Sequence, residues 1–149
     1  MPVALIPFCA ILLTALALVP AGAHLFELPN KIGLPQEAYF TVQGIYRGWA
    51  LFGIVLIGSI LANLALAIQL RRERGAFWLA LLAFALMAGT LAIFFTWTFP
   101  VNQATSNWTV VPADWRELRA QWEYAHATNA VLTFLALCCA TASSLMARR

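Results

Sequence analysis

Two short polar clusters carry most of the chemistry available to this chain: His24-Leu25-Phe26-Glu27 and Glu123-Tyr124-Ala125-His126. Each sets a histidine and a carboxylate three residues apart, which on a helix puts both on one face. The chain has only two histidines, and each has such a partner. A histidine beside a carboxylate can work as an acid/base pair or contribute to a metal site. After His24 and Glu27 the spacing continues to Lys31, which also allows a plain Glu27–Lys31 ion pair worth roughly a few tenths of a kcal/mol.

The second cluster belongs to a longer stripe. Trp115, Arg119, Trp122, His126, Asn129 and Thr133 recur at alternating steps of four and three, which is one seam of a helix bundle. Such a seam normally carries Leu or Ala, so Arg, His and Asn on it point to a polar pocket or to hydrogen bonds between helices. Tyr46-Arg47-Gly48-Trp49 opens another apolar run, where Arg47 either reaches the pocket or snorkels to headgroups. Thr96-Trp97-Thr98-Phe99-Pro100-Val101-Asn102 closes a third, and Pro100 is expected to end or kink that helix and free carbonyls near the pocket. Asn63 is expected to join helices deeper down. Asn107-Trp108-Thr109 fits a glycosylation acceptor, a short and unspecific match.

The elements that must position these residues are membrane spans. Hydrophobic residues make up 62% of the 149 residues and charged ones 10%, too oily for one water-soluble domain. A span needs roughly 20 mostly apolar residues. Four runs qualify, at about 3–23, 46–70, 76–98 and 123–146, within helices over about 3–31, 45–70, 76–98 and 114–146. The expected fold is a single domain over 1–149: an all-α integral membrane protein of four antiparallel helices in a left-handed bundle, with a polar pocket at the outer end.

An even number of spans puts both termini on the side of the 71–75 turn. Arg71, Arg72, Arg74, Arg148 and Arg149 crowd that side against Glu73, so the termini are expected to be cytoplasmic, in a bacterial inner membrane. Trp49, Trp97, Trp108, Trp115 and Trp122 then gather near the outer interface as an aromatic belt. Ala21-Gly22-Ala23 would serve as a signal-peptide cleavage site exposing His24, but no basic residue precedes the apolar run, which favours a retained helix. The net charge of +3 forms no stripe that tracks phosphates, so nucleic acid is not an expected partner. Cys9, Cys138 and Cys139 sit in apolar runs and read as packing residues.

The stretches AHLFELPNKI (23–32), IYRGWALFG (45–53), TFPVNQAT (98–105) and WRELRAQWEYAHATNA (115–130) resemble a bacterial family of small four-helix membrane proteins related to the fungal anthrone oxygenases. The resemblance implies oxidation of an activated polyphenolic carbon by dioxygen without a cofactor. Asn102, Trp115, Trp122 and His126 are the positions that match it.

Three functions follow as expectations. In the first, an oxidoreductase takes a lipophilic phenol, anthrone or quinol from the bilayer. His126, ordered by Glu123, is the base; Arg119 or Arg47 with Asn102 stabilises the anion; Tyr46, Trp115, Trp122 and Asn129 line the substrate. In the second, His24, Glu27, Glu123 and His126 hold a single transition metal, as a reduced form of the Glu-x-x-His sites of di-metal bundles. In the third, the cluster is a network fixing helix register in a non-enzymatic membrane module.

Overall fold

A computed structural model describes residues 2–147 and is helical, with no strand among the described residues. Arg148 and Arg149, which enter the orientation argument, lie outside the described residues. The helices are α1 (Pro2–Lys31), α2 (Gln36–Gln43), α3 (Phe52–Gln69), α4 (Arg74–Ile93), α5 (Phe99–Ala104) and α6 (Trp115–Met146). A π turn over Phe94–Thr98 joins α4 to α5 in one helical rod. Four stretches are long and apolar enough to cross a membrane: Ala4–Lys31, Trp49–Gln69, Arg74–Ala104 and Trp115–Met146. These are the four expected from the sequence. Ala21, Gly22 and Ala23 lie inside α1.

α1 packs on α3 and α6, and α4 packs on the same two. The buried core they share is built from small side chains, including Ala10, Ala67, Ala80, Ala83, Ala136 and Ala140, around Leu66 and Met87. Large apolar residues such as Phe8, Val19, Ile54, Leu61 and Phe134 are exposed. Small residues inside and large ones outside invert the pattern of a water-soluble core, and they let helix backbones approach closely. Asn63 joins helices as expected. Its Nδ2 donates to Thr14 Oγ1 at 2.9 Å, and Thr14 Oγ1 lies 2.8 Å from Ser59 Oγ.

Three features depart from the sequence reading. The 28–45 connection contains α2, which begins after Pro35 in extended conformation, carries Glu37 in its first turn and buries Tyr39 and Gln43. The second long helix starts at Phe52, not near 45. Gly48 has φ +89°, a left-handed value that breaks the entry into two 3₁₀ turns, Gly44–Tyr46 and Trp49–Leu51. The third does not stop near 98. It widens through the π turn and continues to Ala104, with Pro100 in the first turn of α5, where a missing N–H is tolerated. Trp97 O, in the widened stretch, accepts from Gln121 Nε2 at 2.8 Å.

The tryptophans form less of a belt than expected. Trp108, Trp115 and Trp122 are buried with Tyr39 and Val101, while Trp97 is exposed. Trp108 is carried inward by a turn in which Ser106, Asn107 and Trp108 all have positive φ (47°, 55° and 64°). This turn also holds the Asn107-Trp108-Thr109 match.

Candidate functional site

The end of α1, α2, the Gly44–Tyr46 turn and the start of α6 meet around Lys31. Its side chain is 3% exposed, and its Nζ lies 3.2 Å from Glu27 Oε1, 3.0 Å from Glu123 Oε1 and 2.6 Å from Tyr46 Oη. The ammonium also sits over the rings of Tyr46 and Trp122, at 4.3 and 4.8 Å from their centroids. Glu123 is fully buried and accepts from Tyr39 Oη at 2.8 Å, and Gln43 Nε2 donates in turn to Tyr39 Oη. Tyr46 Oη also donates to Glu27 Oε1. Charges this deep persist only when paired and hydrogen-bonded, and Lys31 supplies the pairing for both carboxylates. Burial, then the nearby carboxylates, pushes the phenols of Tyr39 and Tyr46 well above their ordinary range, which keeps both as donors.

His24 is buried beside this network. Its Nδ1 lies 2.9 Å from Glu27 Oε1. A carboxylate at Nδ1 holds the N–H there and leaves Nε2 as the open acceptor. The His24 ring lies 4.1 Å from that of His126, at 31°, inside walls formed by Tyr46, Trp122 and Trp49 at 4.6, 5.0 and 5.5 Å. His126 packs on Trp122 at 4.1 Å and has no hydrogen bond among the described residues. Asn102 Oδ1 fixes the Trp122 indole by accepting from its Nε1 at 2.9 Å.

The predicted site residues sort accordingly. His24, Glu27, Tyr46, Trp122, Glu123 and His126 come together, with Asn102 behind them. The histidine–carboxylate pair that forms is His24–Glu27. The pairing of Glu123 with His126 does not, because Lys31 and Tyr39 hold the carboxylate. Arg119 is turned elsewhere. It donates to Leu34 O at 2.8 Å and lies over Trp115 and Tyr39, so it closes the 32–35 loop and does not face the histidines. Arg47 is exposed on its turn. Trp115 packs on Tyr39 in the neighbouring aromatic cluster. Asn129 lies one turn beyond His126 with a buried Oδ1 that has no partner among the described residues.

Among the described residues no three His, Cys, Asp or Glu side chains are gathered as a metal ion requires. The proposed ligand set of His24, Glu27, Glu123 and His126 is divided by the Lys31 ammonium, and the two imidazoles meet face to face. A groove of about 500 Å³ lies on another face of α6, lined by residues that include Ile93, Trp97, Gln121, Tyr124 and Thr128.

No known protein family, curated protein or solved structure matches this chain. The likeness to the anthrone oxygenases therefore rests on its motifs.

Sequence reasoning missed Tyr39, Gln43 and the bridging role of Lys31. Lys31 was visible as the third residue on the face of His24 and Glu27, but its second partner is far along the chain. The run Pro35-Gln36-Glu37 is a helix-start signal that would have found α2, and with it Tyr39.

Proposed function

We propose that this is an integral membrane protein of four antiparallel helices in a left-handed bundle, with both termini cytoplasmic in a bacterial inner membrane. Its outer-end histidine pair acts as a general base on a lipophilic phenolic or quinol-type substrate, of the class that the anthrone oxygenases it resembles oxidise. One observation carries this reading. Glu27 holds His24 at Nδ1 and leaves Nε2 without a hydrogen bond among the described residues, with the ring stacked on His126 inside an aromatic wall, which is the arrangement of an oriented base.

The base is thus His24, held by Glu27, with His126 stacked against it. For an anthrone, His24 Nε2 takes a proton from the activated carbon and leaves a carbanion delocalised into the phenolic ring. The carbanion passes an electron to dioxygen, and recombination forms the carbon–oxygen bond of a hydroperoxide. The imidazolium returns that proton to the peroxide oxygen; the imidazole then takes the second C–H proton, C=O forms as the O–O bond breaks, and the departing hydroxide collects that proton, so that CH₂ and O₂ become C=O and H₂O. Trp122, set by Asn102, supplies a face for the aromatic ring. The reading calls for dioxygen and no resident cofactor.

The test is dioxygen uptake by the purified protein with an anthrone or a hydroquinone. His24→Ala and His126→Ala are each expected to lower the rate by about 10²–10⁴-fold. Unchanged rates in both would remove the proposal.

A second reading has its own support. The Lys31 bridge ties α1 to α6 through an ion pair whose two partners, Lys31 and Glu123, are both buried, as a register lock in a non-enzymatic module would. That reading expects a partner to co-purify in mild detergent, and a monodisperse lone protein counts against it.

A further inference from the structure

Threonine in a helix tends to donate its hydroxyl to the carbonyl three or four residues back. Thr14, Thr90, Thr96 and Thr133 do so, as does every other threonine of the chain save one. The exception is Thr98, which is fully buried with an Oγ1 that has no partner among the described residues. It is the last residue of the π turn, where the Phe99 N–H bonds Phe94 O, the acceptor four residues before Thr98. Single π turns inside α-helices recur at functional sites. Asn129 Oδ1 is a second buried atom without a partner on the helix packed against this turn.

The register between the two helices sets Thr98 and Asn129 on facing stretches, about one turn apart in depth. Trp122 Nε1 bonds Asn102 Oδ1 at 2.9 Å. Further in, a Cβ placed on Gly89 would lie 4.0 Å from Leu132 Cδ1, so contacts step along the two helices in opposite senses. One turn inward of Asn102 stands Thr98; one turn inward of Trp122 stands His126, with Asn129 next on the same stripe. Helical side chains lean toward their own N-terminus. Thr98 therefore leans inward and Asn129 outward, which narrows the difference in depth between them on either side of the level of His126.

We propose that Thr98 and Asn129 form a hydroxyl-binding subsite beside His126. It takes the phenolic O–H of the substrate class assigned above, and so rests on that reading. Asn129 Oδ1 accepts the hydrogen of the ligand, and the Thr98 hydroxyl, bonded to no carbonyl, donates to the ligand oxygen. An acceptor and a donor placed together match a hydroxyl group, which offers both roles, and do not match an ether.

The experiment uses the full-length protein in mild detergent under nitrogen, with trimethylhydroquinone and its dimethyl ether as probes and tryptophan fluorescence as the readout. Wild type should bind the hydroquinone about tenfold more tightly than the ether, the size of one good hydrogen bond. Thr98→Val and Asn129→Leu should abolish that preference, and Thr98→Ser should keep it. Thr98→Val should also leave thermal stability unchanged or raised, because the hydroxyl has no protein partner to lose. A wild type without the preference, or a Thr98→Val variant that keeps it, would overturn the subsite. Binding under nitrogen is read apart from turnover. A preserved preference in a protein that consumes no dioxygen would sink the oxidation and leave the subsite standing.

Discussion

Lys31 sets the charge balance of the outer cluster, since one ammonium serves two carboxylates and a phenol. Replacing it by Met leaves Glu123 fully buried without its counter-charge, and breaking a buried pair from one side costs about 3–5 kcal/mol. Thermal unfolding in detergent should show a loss of that order for Lys31→Met. Restoration of much of it in the Lys31→Met/Glu123→Gln double variant would show that the cost is the stranded charge. The tyrosines give a pH dependence. Both phenols ionise above the ordinary value of 10.0 in the folded protein, so the unfolded chain loses those protons first as pH rises. Their contribution to stability is complete below pH 10 and is lost as pH climbs beyond it. Tyr39→Phe and Tyr46→Phe should each flatten the fall in unfolding midpoint above that pH. A slope equal to wild type in both would contradict the account.

At the scale of elements, what was legible follows from local pattern. The four long helices are visible as uncharged apolar runs, and the α6 stripe is visible at helical spacing, with Trp115, Trp122 and Thr133 buried along it. What was not legible depends on contacts between distant segments. No periodicity predicts that Glu123 prefers Tyr39 and Lys31 over its neighbour His126, or that a π turn carries the third helix past Pro100. The Gly48 break is a backbone event whose single signal is the glycine itself. A Cβ there meets no atom within 4 Å, so the cost of Gly48→Ala is purely that of the left-handed φ. That cost is about 1–2 kcal/mol. Unfolding in detergent should show it, together with looser packing of Tyr46 and Trp49 on His24. A fully neutral substitution would mean that the turn is not held in this conformation.

For the whole molecule, small residues inside and large apolar ones outside agree with lipid as the surrounding solvent. The proposed topology places Glu117, at the start of α6, outside and the 71–75 turn inside. A Glu117→Cys variant should react with an impermeant thiol reagent in intact cells, and a Glu73→Cys variant only after lysis; the reverse pattern would invert the molecule. The Cys9, Cys138 and Cys139 background should be replaced first, since Cys138 is exposed on the α6 surface.

The central claim is that His24, oriented by Glu27, is a base for a lipophilic phenolic substrate. Its most direct test is conversion of an anthrone to its anthraquinone by protein in lipid vesicles, comparing wild type with His24→Ala in the absence and presence of added imidazole. The account predicts conversion by wild type, loss in His24→Ala, and recovery that grows with imidazole concentration. Wild-type protein that converts no anthrone, or a His24→Ala variant as active as wild type without imidazole, would contradict it.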